Sequence, residues 1–209
     1  AFTNSGNLIW AKQIGGTDED GSSHIISSGI SGDILVSGGF NAIVDFDPGP
    51  AISSFTSYGL QDGFVCRLSN AGNYIWAAQT AGVGGSANFQ SKFDGQDNVL
   101  SVGSFISIVD FDPGPGSYTV SSQAGLRQSF LCKLNSNGSF MWEKTLGGGL
   151  QSEPTLFLDI DASGKIYTAA NFDGLRDFDP GPGTYTFSSL GFTDVFVTGI
   201  LIKWIREIL

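Results

Sequence analysis

The sequence has little charge and few reactive side chains. Only 14% of its 209 residues are Asp, Glu, Lys or Arg, and Lys plus Arg number 10 against 20 Asp plus Glu. The formal net charge is −10 and the pI about 4.2. A chain this acidic lacks the basic footprint that a phosphate backbone demands, so nucleic acid is not an expected partner. There is one His (His24), and there are two Cys (Cys66 and Cys132). No Cys-x-x-Cys and no His cluster occur, so neither redox nor zinc chemistry is indicated. No stretch approaches the roughly 20 apolar residues of a membrane-spanning helix. The densest apolar run, Gly199 to Leu209, is broken by Lys203, Arg206 and Glu207. Nucleophile-elbow, P-loop and zinc-protease motifs are absent. Gly82-Val83-Gly84-Gly85 and Gly147-Gly148-Gly149 lead into no helix and no Lys, which argues against phosphate binding. The chain begins at Ala1 with no basic segment followed by an apolar one. That fits a removed leader or a piece of a longer polypeptide.

Abundant instead are Gly (30), Phe (17) and Trp (4), with 41% apolar residues, a composition that excludes disorder. They fall in register. Val44-Asp45-Phe46-Asp47-Pro48-Gly49-Pro50 recurs at Val109 to Pro115 and, with Arg176 leading, at Arg176 to Pro182, at spacings of 65 and 67. Six of the seven prolines lie in these motifs. Trp10, Trp76, Trp142 and Trp204 keep spacings of 66, 66 and 62, and Phe40, Phe105 and Phe172 each stand five residues before the first motif Asp. Several markers in one register establish an internal repeat.

Each unit reads as strands. Asn7 to Ile14, Asn73 to Thr80 and Ser139 to Leu146 alternate apolar and polar residues on a period of two. Gly63 to Leu68 and Ser129 to Leu134 do the same one turn earlier, and Asn- and Gly-rich turns join the pairs. Ile34 to Phe40, Val99 to Phe105 and Ile166 to Phe172 form a further strand per unit. No helical period with caps occurs before residue 199. Four antiparallel strands per repeat are the mark of a β-propeller blade. The expected fold is all-β, a β-propeller-like array of about three four-stranded antiparallel blades, open or partial. A β-solenoid or stacked sandwich array is the alternative. The expected division is an N-terminal outer strand over residues 1–14, blades over 15–80 and 81–146, and a third blade over 147–209 with a divergent C-terminus. Gly199 to Leu209 lacks the polar turn of the other units and fits either a capping helix or a truncated or frame-disturbed end. Propellers need about 4–8 blades to close, so three blades imply further blades or self-association, and the first strand suits a closure by strand exchange.

The stretch Asp62-Gly63-Phe64-Val65-Cys66-Arg67-Leu68, continuing to Trp76-Ala77, resembles the SBBP-type β-propeller repeat. Ile14-Gly15-Gly16 and Gly38-Gly39-Phe40 are similar to later parts of that pattern. The Asp-Phe-Asp-Pro-Gly-Pro motif resembles a variant found in large secreted and surface proteins of Bacteroidetes-like bacteria. The resemblance reaches to Val197. It implies an extracellular or cell-surface bacterial module of several blades, and it implies no chemistry, because the family has no common activity.

Candidate sites divide into paired carboxylates and single residues. Asp45/Asp47, Asp110/Asp112 and Asp177/Asp179 are i, i+2 pairs, so in an extended strand both carboxylates face one side. They fit either one Ca²⁺ per unit or a rigid turn in which Asp accepts backbone N–H bonds and Pro fixes φ. The intervening Phe46, Phe111 and Phe178 point the other way and are expected to pack, as are Phe40, Phe105, Phe172 and the repeat tryptophans. Paired carboxylates also serve glycosidases, but three equal copies are unlike a single asymmetric catalytic site. His24 has no partner spaced as in a triad. The cysteines occupy one structural position used twice, with Thr198 in the third copy. The functional expectation is a non-catalytic interaction or adhesion scaffold for a protein or glycan, with no cofactor. Alternatives are a Ca²⁺-dependent carbohydrate-binding module and, last, a hydrolase.

Overall fold

The computed structural model describes residues 1–27, 30–123, 125–150 and 156–201. These residues form strands and no helix, so none is long and apolar enough to cross a membrane. The first unit comprises β1 (Gly15–Gly16), β2 (Asp20–Ser27), β3 (Ile34–Phe40), β4 (Ile43–Asp45), β5 (Ser54–Thr56), β6 (Asp62–Leu68) and β7 (Tyr74–Gly82). The second runs through β8 (Ser86–Phe93), β9 (Val99–Phe105), β10 (Ile108–Asp110), β11 (Thr119–Ser121), β12 (Arg127–Leu134) and β13 (Phe140–Leu150). The third holds β14 (Phe157–Ile160), β15 (Ile166–Phe172), β16 (Leu175–Asp177), β17 (Thr186–Ser188) and β18 (Asp194–Ile200).

Each unit is an antiparallel meander. The spatial orders are β2-β3-β6-β7, β8-β9-β12-β13 and β14-β15-β18. A short hairpin, β4-β5, β10-β11 or β16-β17, is inserted between the second and third strands of its unit. The inner strands β2 and β14 both lie against β8, so the units fan out from a shared inner line. The sequence positions the hydrophobic faces accordingly. Leu35, Val65 and Ala78 of the first unit pack on Phe93, Val99, Phe105, Phe130 and Leu134 of the second. Leu100, Val102, Leu131 and Leu146 of the second pack on Leu158, Ile166, Phe172 and Phe196 of the third. Burying one such side chain contributes roughly 1.5–3 kcal/mol.

A phenylalanine triangle sits in each unit. Ring centroids are 5.4 Å apart for Phe40–Phe46 and 4.9 Å for Phe46–Phe64. The second unit repeats this at 5.5 Å (Phe105–Phe111) and 4.9 Å (Phe111–Phe130), the third at 5.1 Å (Phe172–Phe178) and 4.5 Å (Phe178–Phe196). Edge-on and tilted ring pairs of this kind add to simple burial.

Two devices tie the second unit to the first, and the main sheet of the first unit to residues 10–16 ahead of it. The first is a strap: hairpin strand β4 pairs with β1 (Gly15 opposite Asp45), and β10 pairs with the end of β7 (Ala81 opposite Asp110). Backbones approach so closely there that a Cβ on Gly16 would stand 2.0 Å from the Ile43 carbonyl oxygen. The second is a tryptophan lock. Trp10 Nε1 donates to the Asn70 carbonyl (3.2 Å), and Trp76 Nε1 to the Ser136 carbonyl (3.0 Å), each in the turn between third and fourth strands of the following unit. The indole lies on a left-handed glycine of that turn, Gly72 (φ +75°) or Gly138 (φ +83°). Arg67 Nη1 donates to the same Ser136 carbonyl at 2.9 Å and its Nε to Asp33 at 2.9 Å, while its guanidinium lies 5.0 Å from the Phe93 ring centre. The buried Lys133 holds Asp94 at 2.7 Å in the corresponding place of the second unit.

Two expectations need correction or limits. Asn7 to Ile14 forms no strand; only an isolated bridge, Phe2 opposite Leu8, precedes β1. An outer strand is hydrogen-bonded along one edge alone, and among the described residues no strand lies beside residues 9–14. The first residues instead close a small turn, with Thr3 N–H donating to the Asn7 carbonyl (2.8 Å) and Ala1 to the Trp10 carbonyl (2.8 Å). The expected change after Gly199 falls partly within β18, which includes Gly199 and Ile200. Trp204 and the rest of that segment from residue 202 lie outside the described residues.

The lock predicts a contrast between two glycines of like φ. Gly164 (φ +81°) has nothing within 4 Å of its added Cβ, whereas a Cβ on Gly138 would stand 2.9 Å from the Trp76 ring. Gly164→Ala is expected to cost about 1–2 kcal/mol, the left-handed penalty alone. Gly138→Ala is expected to cost clearly more and to red-shift tryptophan emission. Urea unfolding followed by fluorescence reads both, and equal costs would refute the lock.

Candidate functional site

The three Asp-Phe-Asp-Pro-Gly-Pro loops close the inserted hairpins. Asp45 Oδ1 accepts the N–H groups of Asp47 (3.0 Å) and Ser53 (2.8 Å). Asp110 Oδ1 accepts those of Asp112 (3.0 Å) and Tyr118 (2.8 Å), and Asp177 Oδ1 those of Asp179 (3.0 Å) and Tyr185 (2.8 Å). The second Asp turns to Gly: Asp47, Asp112 and Asp179 accept from Gly49, Gly114 and Gly181 at 2.7, 2.9 and 2.8 Å. The Phe between them donates its N–H back across the loop, Phe111 to the Tyr118 carbonyl at 3.0 Å for example, and its ring is buried in the triangle. Burial pushes Asp110 up, but the N–H bonds from Tyr118 and Asp112 and a bond from Ser117 outweigh it and hold the carboxyl below its ordinary range. For Asp177 the N–H groups of Tyr185 and Asp179 lower it. One oxygen of each carboxylate is thus engaged by the backbone. Among the described residues no three His, Cys, Asp or Glu side chains gather as a metal-binding group.

His24 lies on the inner strand β2. Its Nε2 is 3.5 Å from Gln90 Nε2 on β8, and Gln90 Oε1 accepts the Leu158 N–H of β14 at 2.6 Å. Burial, then the Lys92 charge, lowers the imidazole pKa. The group is a polar tie across three inner strands. Cys66 and Cys132 are buried and unbridged. Burial pushes the Cys66 thiol up to about 12 and that of Cys132 well above its ordinary value, so neither supplies a thiolate.

The repeat is broken at one place that sequence reading passed over. A polar cleft of about 570 Å³ opens between the second and third units, walled by Tyr118, Gln128, Glu143 and Thr145 on one side and by Arg176 and Asp177 on the other. At the first junction Gln79 Nε2 donates to Asp62 Oδ2 (2.6 Å) and to the Thr56 carbonyl (2.9 Å), and the Gly82 N–H reaches Asp62 Oδ1 (3.1 Å). Gln128 and Thr145 replace that pair in the second unit and leave room. Glu143 stands where the register has Ala11 and Ala77. It is buried, and its carboxylate takes a bond from the Thr145 hydroxyl at 3.1 Å. Burial raises its pKa to about 7 against the lesser pull of Thr145 and Lys144. Comparing equivalent positions along the sequence, Ala11, Ala77 and then Glu143, is the signal that would have found it.

No protein-family model matches the chain. It is 23% identical over 221 aligned residues to an uncharacterized WD repeat-containing protein of Acanthamoeba polyphaga mimivirus. The match takes in 91% of this chain and 15% of that protein, so the chain spans a small part of its relative's length. The match to a WD repeat-containing protein supports reading the antiparallel sheets of this chain as blades. The chain is a β-propeller-type repeat protein. Its described units form a partial propeller, and the cleft is a departure from repeat symmetry at one blade junction.

Two predictions follow from this propeller's carboxylates. Asp110→Ala removes an acceptor of two backbone N–H groups and is expected to cost about 1–2 kcal/mol. Asp110→Asn keeps an oxygen there and costs less. Added Ca²⁺ shifts the melting temperature of none of the three proteins; a Ca²⁺-dependent rise in wild type that both variants lose would establish the metal reading instead. Glu143 gives a pH window. Its carboxyl titrates near 4.5 when unfolded and near 7 when folded. Below 4.5 both states are protonated; as pH rises the unfolded chain ionises first, so stability falls by on the order of 3 kcal/mol between 4.5 and 7 and is level above. Glu143→Gln is expected to flatten this fall and to melt higher than wild type at pH 8, with little difference at pH 4.5, as read by thermal unfolding.

Proposed function

We propose that this propeller is a non-catalytic interaction scaffold in a secreted or cell-surface bacterial protein, binding a protein or glycan and serving adhesion. The observation that carries the scaffold reading is how its polar groups are engaged. Asp45, Asp110 and Asp177 close hairpins, Arg67 and Lys133 tie buried carboxylates, and His24 joins inner strands. The thiols stay protonated. No asymmetric set of nucleophile, base and oxyanion donors is assembled among these groups. The mimivirus relative's WD repeats support a propeller scaffold, and secretion and adhesion rest on the SBBP-type pattern of Asp62 to Ala77. The polar cleft beside Tyr118 and Glu143, which departs from repeat symmetry, is where ligand contact is proposed.

Peptide and glycan arrays probed with wild type, Tyr118→Ala and Gln128→Ala test it. The expected outcome is a defined set of bound spots that both variants lose while their melting temperatures stay near wild type. Spots that persist unchanged in the variants would remove the cleft from the proposal. Turnover of ester or glycoside substrates that disappears in Glu143→Gln would overturn the non-catalytic reading.

A further inference from the structure

The buried acids among the described residues are Asp33, Asp62, Asp94 and Glu143. The first three are well held. Asp62 accepts the Gln79 side-chain amide (2.6 Å) and the N–H groups of Tyr58 (2.9 Å) and Gly82 (3.1 Å). Asp33 pairs with Arg67 at 2.8 Å, and Asp94 with Lys133 at 2.7 Å. Glu143 is the exception. It is 5% exposed, yet the Thr145 hydroxyl alone donates to it. Among the described residues its second oxygen takes no hydrogen bond, and no Lys or Arg pairs with it. A carboxylate placed so is one half of a buried ion pair, and it lines the cleft between the second and third units.

The groups around Glu143 favour positive charge. From the second hairpin's loop Tyr118 brings a ring packed on Phe140, the centroids 4.6 Å apart, and it remains partly exposed. Burial and then the Glu143 charge raise its phenol pKa, so the ring stays neutral. Strand β12 brings the protonated Cys132 thiol. Lys144, next on β13, pulls on the Glu143 carboxyl less than burial pushes it. Across the cleft Arg176 is tied to Asp173 and donates to the Leu175 carbonyl at 3.0 Å. Asp177 and Asp179 each engage one oxygen with backbone N–H groups there. The net charge of −10 adds to this field. An aromatic face beside a carboxylate suits a cation. A neutral ligand would leave an ionised Glu143 uncompensated, and an acidic glycan would be repelled.

We infer that the cleft receives a cationic side chain of a protein partner, a lysine ammonium or arginine guanidinium on a peptide segment, with its charge on Glu143 and its stem along Tyr118. This rests on the placing of ligand contact at the cleft and adds the chemistry of the ligand. The volume of about 570 Å³ falls among small-ligand sites of about 300–1,000 Å³ and admits a long side chain. Such side chains lay their methylenes on aromatic surface and carry the charge at the tip. The first unit has no such opening. Ala77 stands in the place of Glu143, and the Tyr74 hydroxyl fills the space, accepting the Ala77 N–H at 3.0 Å and the Ser53 hydroxyl at 2.7 Å. Phe140, in the register of Tyr74, lacks that hydroxyl. Binding needs the ionised carboxylate, so affinity rises with pH as Glu143 loses its proton near 7. His24, the single histidine of the chain, lies apart on β2 with its pKa lowered.

Peptide and glycan arrays probed at pH 8 with wild type and Glu143→Gln, then anisotropy titrations of the bound peptides, test this. Bound spots are expected to contain Lys or Arg and to vanish when those residues are resynthesised as Gln. Wild type is expected to bind such a peptide about tenfold more weakly at pH 6 than at pH 8, as the ionised share of Glu143 falls. Glu143→Gln is expected to lose about tenfold or more at pH 8 and to show no such pH dependence. Glu19→Gln removes an exposed carboxylate elsewhere and is expected to stay within about twofold, which separates a site from the general pull of an acidic chain. Neutral peptides or glycans that Tyr118→Ala and Gln128→Ala lose but Glu143→Gln retains would keep contact at the cleft and overturn the cationic ligand. Basic peptides weakened alike by Glu143→Gln and Glu19→Gln, or spermidine bound as tightly as the peptide, overturn it too. Spots that no cleft variant changes would sink both readings.

Discussion

The burial of one blade's aromatic and branched face against the next is the contact on which everything else in this chain rests. A four-stranded sheet buried on a single side leaves Val65 or Leu131 in water; stacked, both are covered. The phenylalanine triangles serve that same end. Phe46, Phe111 and Phe178 come from inserted hairpins, yet their rings fill the faces of the main sheets. The polar parts of the Asp-Phe-Asp-Pro-Gly-Pro motif make sense in this light. Two carboxylates hold a tight loop so that the residue between them points inward. The strap and the tryptophan lock then set the angle between neighbours by hydrogen bonds, which packing of smooth apolar faces would leave loose.

Such a design is local. Each unit touches its neighbours and little else, so one junction can change without disturbing the rest. The second junction shows it. Replacing the Asp62–Gln79 pair by Gln128 and Thr145, and an alanine by Glu143, converts a filled seam into a polar cleft while β9, β12 and β13 keep their pairing. The cost is a buried carboxyl whose ionisation is resisted by its surroundings. Repeat symmetry is a frame for stability, and departures from it are where a specific surface arises.

Much of the fold was legible in the residues. Asn-Gly turns and period-two alternation outlined β6-β7 and β12-β13, and Ile34 to Phe40 was visible as a strand because its apolar run is bounded by turn residues. The partnership of the second hairpin with the outer strand of the first unit was not legible. Backbone pairing between Asp110 and Ala81 carries no side-chain signature, only the glycines that let chains approach. Glu143 escaped because one glutamate in an alternating strand reads as a surface position until the neighbouring sheet is in place. Asn7 to Ile14 shows the opposite failure: its alternation is that of a strand, but a strand requires a partner edge.

The sequence by itself determined the unit and its count: Trp10, Trp76 and Trp142 on one beat, the Asp-Phe-Asp-Pro-Gly-Pro turns on another, and strands between them. These are local properties, set by side-chain periodicity and by the φ preferences of Gly, Pro and Asp. Only the tertiary structure decided which faces are spent and which remain bare, because burial is a relation between units. Val65, Leu131 and Val197 occupy the same position in three similar strands, and a neighbour is what separates two core residues from one in water.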